Sequence, residues 1–343
     1  MTTSRVHVQM FASLLMVLCM ANVRSLFAAD TPVKKYKAEN VVLVVIDGPR
    51  YTEFWGEPEK KYIPHIAKEL APTGVVYDNF RNEGYTITDP GHVALTSGFY
   101  FNIDNTGKEL PPQPTILQRW LKFSGQPKSS AWAICSKDKL YILTNSANPD
   151  WKDQFVASAD CGMKNAAGKM VMRDDKDTLE AVKTIMDRDH PHVVVVNFRA
   201  PDSNGHAKNW EGYLAGIQSS DEYAAKIWEF IQSNEYYKDK TAFFISNDHG
   251  RHPDGILDGF VSHGDGCPGC RRIICVAEGP DFKKGLVSSI PREQIDLAVT
   301  MADILGFPIP ESKGHVMTEL FTGQPDVPAD APTTSKPAPI EKK

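Results

Sequence analysis

The chain has 343 residues, 41% of them hydrophobic, and a formal net charge of −5. That length supports a large buried core. The mild acidity speaks against a nucleic-acid polymer as partner, which would call for a basic excess.

Residues 1–29 read as a signal peptide: Arg5 precedes an apolar run from Met10 to Ala21 that is too short to span a bilayer, and Ala28 and Ala29 offer a cleavage site before Asp30. Cys19 follows Leu18 rather than a small residue, which disfavours a lipoprotein anchor. The mature protein is expected outside the cytoplasm, periplasmic or extracellular, with no stable membrane span. Residues 30–321 read as one domain, and the Pro-, Ala- and Thr-rich tail 322–343 as a disordered extension.

Within the domain, "NVVLVVID", "HVVVVNF", "TAFFISND" and "RIICVA" are continuous apolar runs that suit strands buried on both faces of a parallel sheet. Helical patterns fall at 63–70, 115–123, 178–188, 220–231 and 292–305. This alternation predicts an α/β fold, a mainly parallel central sheet sandwiched by helices, with ligands gathered outside the carboxyl ends of the strands.

The stretch "GYTITDPGHVALTSG" at 84–98 admits two readings. In one, Asp89 caps a helix whose first turn holds Pro90. In the other, Thr88 is a nucleophile at a helix N-terminus, where backbone N–H groups favour an anion. Taken alone the stretch favours the cap, and Thr86 is a rival hydroxyl two residues away. The partners come from the strand ends: Asp47 after "VVLVVI", Asp202 and His206 after "VVVVNF", Asp248 and His249 after "TAFFIS", and His263 beyond. Three aspartates, three histidines and a threonine, with no thiolate, suit zinc, with manganese as the harder alternative. Two such ions clamp the attacking and leaving oxygens of a displacement at phosphorus.

Five cysteines remain after the signal peptide, an odd number. Cys275 reads as a core thiol, and Cys135 with Cys161 as a possible disulfide pair. "CPGC" at 267–270 resembles half of a zinc ribbon but lacks a second CxxC, so a local disulfide or loop clip is expected.

In order, "VIDG", "TDPGHVALTSG", "PDSNGH", "NDHG" and "SHGDG" resemble the motifs of the alkaline phosphatase superfamily, nearest to its nucleotide pyrophosphatase/phosphodiesterase branch. The resemblance implies an exported phosphoric ester hydrolase with Thr88 as nucleophile. It also implies one divalent ion on Asp47, Thr88, Asp248 and His249, and a second on Asp202, His206 and His263. By the same likeness Asn105 contacts a phosphoryl oxygen of a small phosphate-ester substrate. His92 is carried by the motif as well, yet as a residue it reads as a packed, hydrogen-bonded histidine. Gly91 departs from the family asparagine, Asn247 from its serine, and the short run from His249 to His263 leaves no room for the cap many relatives insert.

Arg50, Arg199 and Arg251 read as surface or supporting arginines, with one able to take a phosphate bidentately. No Arg or Lys lies in "TITDPGHVALTSG", and that neutral flank predicts a diester preference. A phosphomonoesterase, a sulfatase, a phosphosugar mutase and a non-catalytic binding protein are the competing readings.

Overall fold

The computed structural model describes residues 35–327. The expected signal peptide and the tail beyond 327 lie outside the described residues.

The strands are β1 (Asn40–Ile46), β2 (Val75–Arg81), β3 (Ala131–Cys135), β4 (Ser158–Cys161), a small separate hairpin β5 (Met163–Lys164) with β6 (Met170–Val171), β7 (Val193–Phe198), β8 (Thr241–Ser246), β9 (Arg272–Glu278), β10 (Leu286–Ser288) and β11 (Arg292–Glu293). The main sheet runs β10-β2-β9-β8-β1-β7-β3-β4, with β11 also on β2. β1 lies at its centre, parallel to β7 and β8. Its side chains alternate between two cores: Val41, Leu43 and Val45 enter one, Val42, Val44 and Ile46 the other. A strand covered on both faces needs no polar alternation, which is why it reads as a solid apolar run.

Helices α1 (Thr88–Ser97), α2 (Ile116–Ser124) and α7 (Gln294–Ile304) cover the first face, through residues such as Val93, Leu117 and Met301. Helices α3 (Asp175–Asp189) and α5 (Trp210–Ser233) cover the second through Val182, Ile217 and Ile227. Between them come two short helices, α4 (Ala200–His206) and α6 (Pro268–Arg271). The expected α/β sandwich is therefore present. One strand departs from expectation: "RIICVA" forms β9, antiparallel to both β2 and β8. The first helical pattern shrinks to one wide turn at Ile66–Leu70, and the pattern from 292 begins as β11 before α7.

The five described cysteines are free thiols, so neither expected disulfide is present. Cys135 and Cys161 do face each other in register on β3 and β4. The Cys161 thiol instead donates to the Ala133 carbonyl at 3.5 Å. Cys275 is fully buried in the core, as expected. Among the described residues no helix is long and apolar enough to cross a membrane. The first tail residues rest on the domain, with Thr322 N donating to Asp281 O and Lys283 pairing with Asp326.

Candidate metal centre

The site is assembled where β1, β7 and β8 end. Asp47 follows β1, its amide donating to Phe198 O of β7 at 2.9 Å. Gly48 then turns with φ +62°, and a Cβ there would meet Arg251 Nη1 at 2.8 Å and Asp202 Oδ1 at 3.0 Å. Only glycine combines that left-handed backbone with so close an approach. After β7, α4 carries Asp202 and His206 one turn apart on one face, with His206 Nε2 3.3 Å from Asp202 Oδ1. After β8, the Asn247 amide ties the strand ends together by donating to Ile46 O at 3.0 Å, and Asp248 and His249 follow, both fully buried. His263 arrives on the loop beyond and stacks on His249 with ring centroids 3.7 Å apart. The three aspartates and three histidines read from the sequence thus converge.

Thr88 is the first residue of α1 and Ile87, in extended conformation, stands at the cap position. Asp89 is therefore not the cap. Its Oδ2 accepts from Gly107 N at 2.9 Å, and Lys139 Nζ lies 3.0 Å from its Oδ1. Of the first-turn amides, that of Asp89 donates to Asn105 Oδ1 at 2.9 Å and that of Gly91 to Ile87 O at 2.9 Å, while Pro90 has no N–H. Asn105 Oδ1 also accepts from Lys139 Nζ at 2.7 Å, which holds Asn105 against the start of α1. Thr86 turns away to the 263–266 loop, its carbonyl 2.8 Å from His263 Nδ1 and its hydroxyl accepting from Gly266 N at 3.2 Å. At Gly91, a Cβ would meet the Asp248 carbonyl at 2.6 Å. Here the family asparagine has no room.

The positive charge beside Thr88 comes from Lys137, just past β3. Its Nζ lies 3.0 Å from Thr88 Oγ1, 3.0 Å from Asp47 Oδ1 and 2.6 Å from Asp202 Oδ2. The neutral flank read from the sequence is thus not neutral. Burial works against the Lys137 charge, but Asp202, Asp47 and Asp248 outweigh it and lift its pKa above the ordinary lysine value. Arg251 is fully buried too, with Nη1 2.5 Å from Asp202 Oδ1 and its other nitrogens donating to Phe260 O and Val261 O. Arg50 is spent on Glu53 and Asp254, and Arg199 on Arg173 O, Ser203 and Asp174. As arranged, none of the three is open to a phosphate.

Burial, then repulsion from Asp248, pushes the Asp47 carboxyl up to about 7 although Lys137 pulls the other way. Burial would raise Asp248 as well, but His92, 3.3 Å away, and the Lys137 ammonium hold its carboxyl below the usual range. Asp202 also stays low, because Lys137, His206 and His263 outweigh its burial. Burial keeps His249 neutral, well below the usual imidazole value.

The donor set fits divalent cations. His249 Nδ1 lies 2.9 Å from Gly250 O and His263 Nδ1 2.8 Å from Thr86 O, which turns the Nε2 atom of each inward as a lone-pair donor. His249 Nε2 and Asp248 Oδ2 are buried without a hydrogen-bond partner. His206 Nε2 and His263 Nε2 face each other at 3.0 Å, a juxtaposition that a shared cation relieves. Asp202, His206 and His263 bring ligand atoms within 4.8 Å of one another, as do Asp47, Asp202 and His249. His92 sits close by, but its Nδ1 is 2.9 Å from Thr88 O and its Nε2 3.1 Å from Asn197 Nδ2. That agrees with a packed, hydrogen-bonded role.

Sequence reasoning missed Lys137 and Asn197, whose Nδ2 lies 3.0 Å from Asp47 Oδ2. A buried asparagine inside "VVVVNF" was the available signal for Asn197. Lys137 offered less, because "AWAIC" did not read as a strand.

The chain belongs to the Metalloenzyme superfamily, whose family model matches residues 39–263 and so takes in every proposed ligand. This alkaline phosphatase-like family comprises metal-dependent enzymes acting on phosphate esters, which bears out the resemblance and the fold.

Curated relatives include GPI ethanolamine phosphate transferase 1 of Mus musculus, 24% identical over 307 residues covering 80% of this chain and 32% of that protein. The Schizosaccharomyces pombe protein of the same name is 24% identical over 320 residues, with the same coverage. The chain therefore spans about a third of the length of these relatives.

Among solved structures, a phosphonate monoester hydrolase from Silicibacter pomeroyi superposes with a TM-score of 0.59 at 14% identity, covering 85% of this chain and 78% of that one. Murine ectonucleotide pyrophosphatase/phosphodiesterase 5 does so with a TM-score of 0.57 at 13% identity, covering 80% and 96%. At such identities the likeness concerns the fold.

Proposed function

We propose that the chain hydrolyses a phosphodiester through a covalent bond to Thr88, with two divalent ions, zinc by the chemistry of the donors. The observation that carries this reading is the buried Thr88 hydroxyl, 3.0 Å from the Lys137 ammonium that also contacts Asp47 and Asp202, in a cluster where His249 Nε2 and Asp248 Oδ2 are left unpartnered. Asp47, Thr88, Asp248 and His249 would hold one ion, and Asp202, His206 and His263 the other. Bound there, the ions would supply Lewis acidity that lowers the pKa of the nucleophile and stabilises the leaving oxygen.

The residues themselves set the rest. Lys137, 3.0 Å from the Thr88 hydroxyl, favours the anionic form of that oxygen and counters charge on the phosphoryl group. Thr88 Oγ bonds to phosphorus as the bond to the leaving alcohol breaks, and the hydroxyl proton passes to solvent. Water then attacks phosphorus, the Oγ–P bond breaks, and Thr88 regains a proton.

The diester preference now leans on the family resemblance rather than on a neutral flank. Export ahead of Asp30 belongs to the same proposal, and N-terminal sequencing of secreted protein checks it. Thr88→Ala is expected to lower kcat for bis-p-nitrophenyl phosphate by about a thousandfold or more while metal content persists. An active Thr88→Ala with an inactive Thr86→Ala would move the nucleophile by two residues.

A second reading, transfer to an alcohol, draws support from the relatives, which are named transferases. Added ethanolamine would then divert product from free phosphomonoester to its ethanolamine diester, whereas a strict hydrolase would not respond.

A further inference from the structure

Away from the acid–imidazole cluster, the loop between His249 and β9 gathers a second set of donors. His252, Asp265, Cys267 and Cys270 bring one ligand atom each to within 4.8 Å of one another. His252 is 2% exposed. Its Nδ1 faces Ser262 Oγ at 3.1 Å and Asp258 Oδ1 at 3.3 Å. Its Nε2 is buried and makes no hydrogen bond, although Asp265 Oδ1 lies 3.1 Å away. An imidazole anchored through one nitrogen, with the other left bare toward two thiols, has the orientation of a metal-bound histidine.

The backbone around it is tightly drawn. Cys267 N donates to Asp265 Oδ1 at 2.9 Å and Arg271 N to Cys267 O at 3.0 Å, while Gly250 N donates to Cys270 O at 2.8 Å. A Cβ on Gly269 would meet Arg251 O at 2.6 Å, so the CPGC turn is pressed onto the segment that carries His252.

We propose that His252, Asp265, Cys267 and Cys270 bind a structural zinc ion, separate from the catalytic pair. Two thiolates, one imidazole and one carboxylate complete a closed tetrahedral set, and thiolate softness selects zinc over magnesium, calcium or manganese. On binding, each thiol gives up a proton to solvent. The second CxxC of a zinc ribbon is unnecessary, because the fold supplies the other two ligands from either end of the 252–265 loop. The ion pins that loop, whose one short helical stretch is the 3-10 turn at Gly259–Val261 and which carries His263 near its end.

The test reads sulfur, which the catalytic cluster lacks. Full-length protein loaded with cobalt(II) under mild reduction is expected to show a near-ultraviolet thiolate-to-cobalt charge-transfer band. The Cys267→Ser/Cys270→Ser variant should lack that band and retain about one zinc equivalent fewer than the parent. Should that variant fail to fold, X-ray absorption at the zinc edge on the unmodified protein reads the same site and is expected to show a zinc–sulfur shell. Purely nitrogen and oxygen scattering there, no band in the cobalt protein, unchanged zinc in the double variant, or a Cys267–Cys270 disulfide in metal-replete protein would each overturn the proposal. Loss of Thr88-dependent turnover with the sulfur signal intact would instead count against the catalytic reading alone.

Discussion

Asp47, Asp202 and Asp248 hang from three strand ends far apart in sequence and lie buried against Lys137 and Arg251. His252, Asp265, Cys267 and Cys270 come from one short segment, the loop after His249 and the α6 turn that follows it, with Asp265 and Cys267 partly open to solvent. The first set has hard oxygen and imidazole donors whose charge is balanced by buried cations, so its geometry depends on the whole sheet. The second has soft thiols and depends on local turns. The two sets differ in donor chemistry and in the elements that carry the donors, as the proposed polarisation of phosphate oxygens and the proposed fastening of a loop would require.

The comparison breaks most visibly at Asp202. In Asp202→Ala, Lys137 and Arg251 lose a shared buried carboxylate, and a loss of about 3–5 kcal/mol in unfolding free energy is expected from denaturant titration. A loss near zero would mean that solvent or other groups compensate these cations.

Lys137→Ala comes next. It should lower kcat by about a hundredfold, roughly 2.7 kcal/mol. The p-nitrophenyl phosphate reaction should suffer more than the diester, since a dianion loses more when a cation is removed. Parent protein with zinc supplied should favour the diester, and the variant should widen that lead. Equal losses on both substrates would place Lys137 away from the phosphoryl oxygens.

Gly91→Ala sharpens the contrast in a smaller way. Its Cβ meets the Asp248 carbonyl, and overpacking of this kind costs about 1–3 kcal/mol. Zinc retention at the strand-end cluster should weaken, while the cobalt–thiolate band of the loop stays. At the bottom of the scale, Glu222→Gln breaks only the exposed Lys226 pair on α5 and should move stability by less than about 0.5 kcal/mol.

Much of the strand-end cluster was legible because β1, β7 and β8 are apolar on both faces and each stops at a polar residue. The spacing of Asp202 and His206 fits one helical turn, and that turn exists. What stayed hidden depended on pairings that a one-dimensional pattern does not carry. β9 has the same apolar look whichever way it runs. β2 bears half-exposed residues and an irregularity between Tyr77 and Phe80, and β3 alternates small alanines with Trp132, so neither reads as a buried run. Lys137 follows β3 and was missed along with it. Asp89 looked like a cap because Pro90 follows it, yet its carboxylate is drawn away by Gly107 and Lys139. Likewise, "CPGC" looked unfinished because His252 meets it only through the fold.

The most direct test of the central claim is to look for phosphorus on Thr88. Full-length zinc-loaded protein would be mixed with bis-p-nitrophenyl phosphate, quenched in acid within a turnover, digested and analysed by mass spectrometry. The expected result is a p-nitrophenyl phosphoryl adduct on the peptide containing Thr88, present in the parent and missing in Thr88→Ala. Burst release of p-nitrophenol with no adduct on Thr88, or an adduct on Thr86 or a histidine, would contradict it.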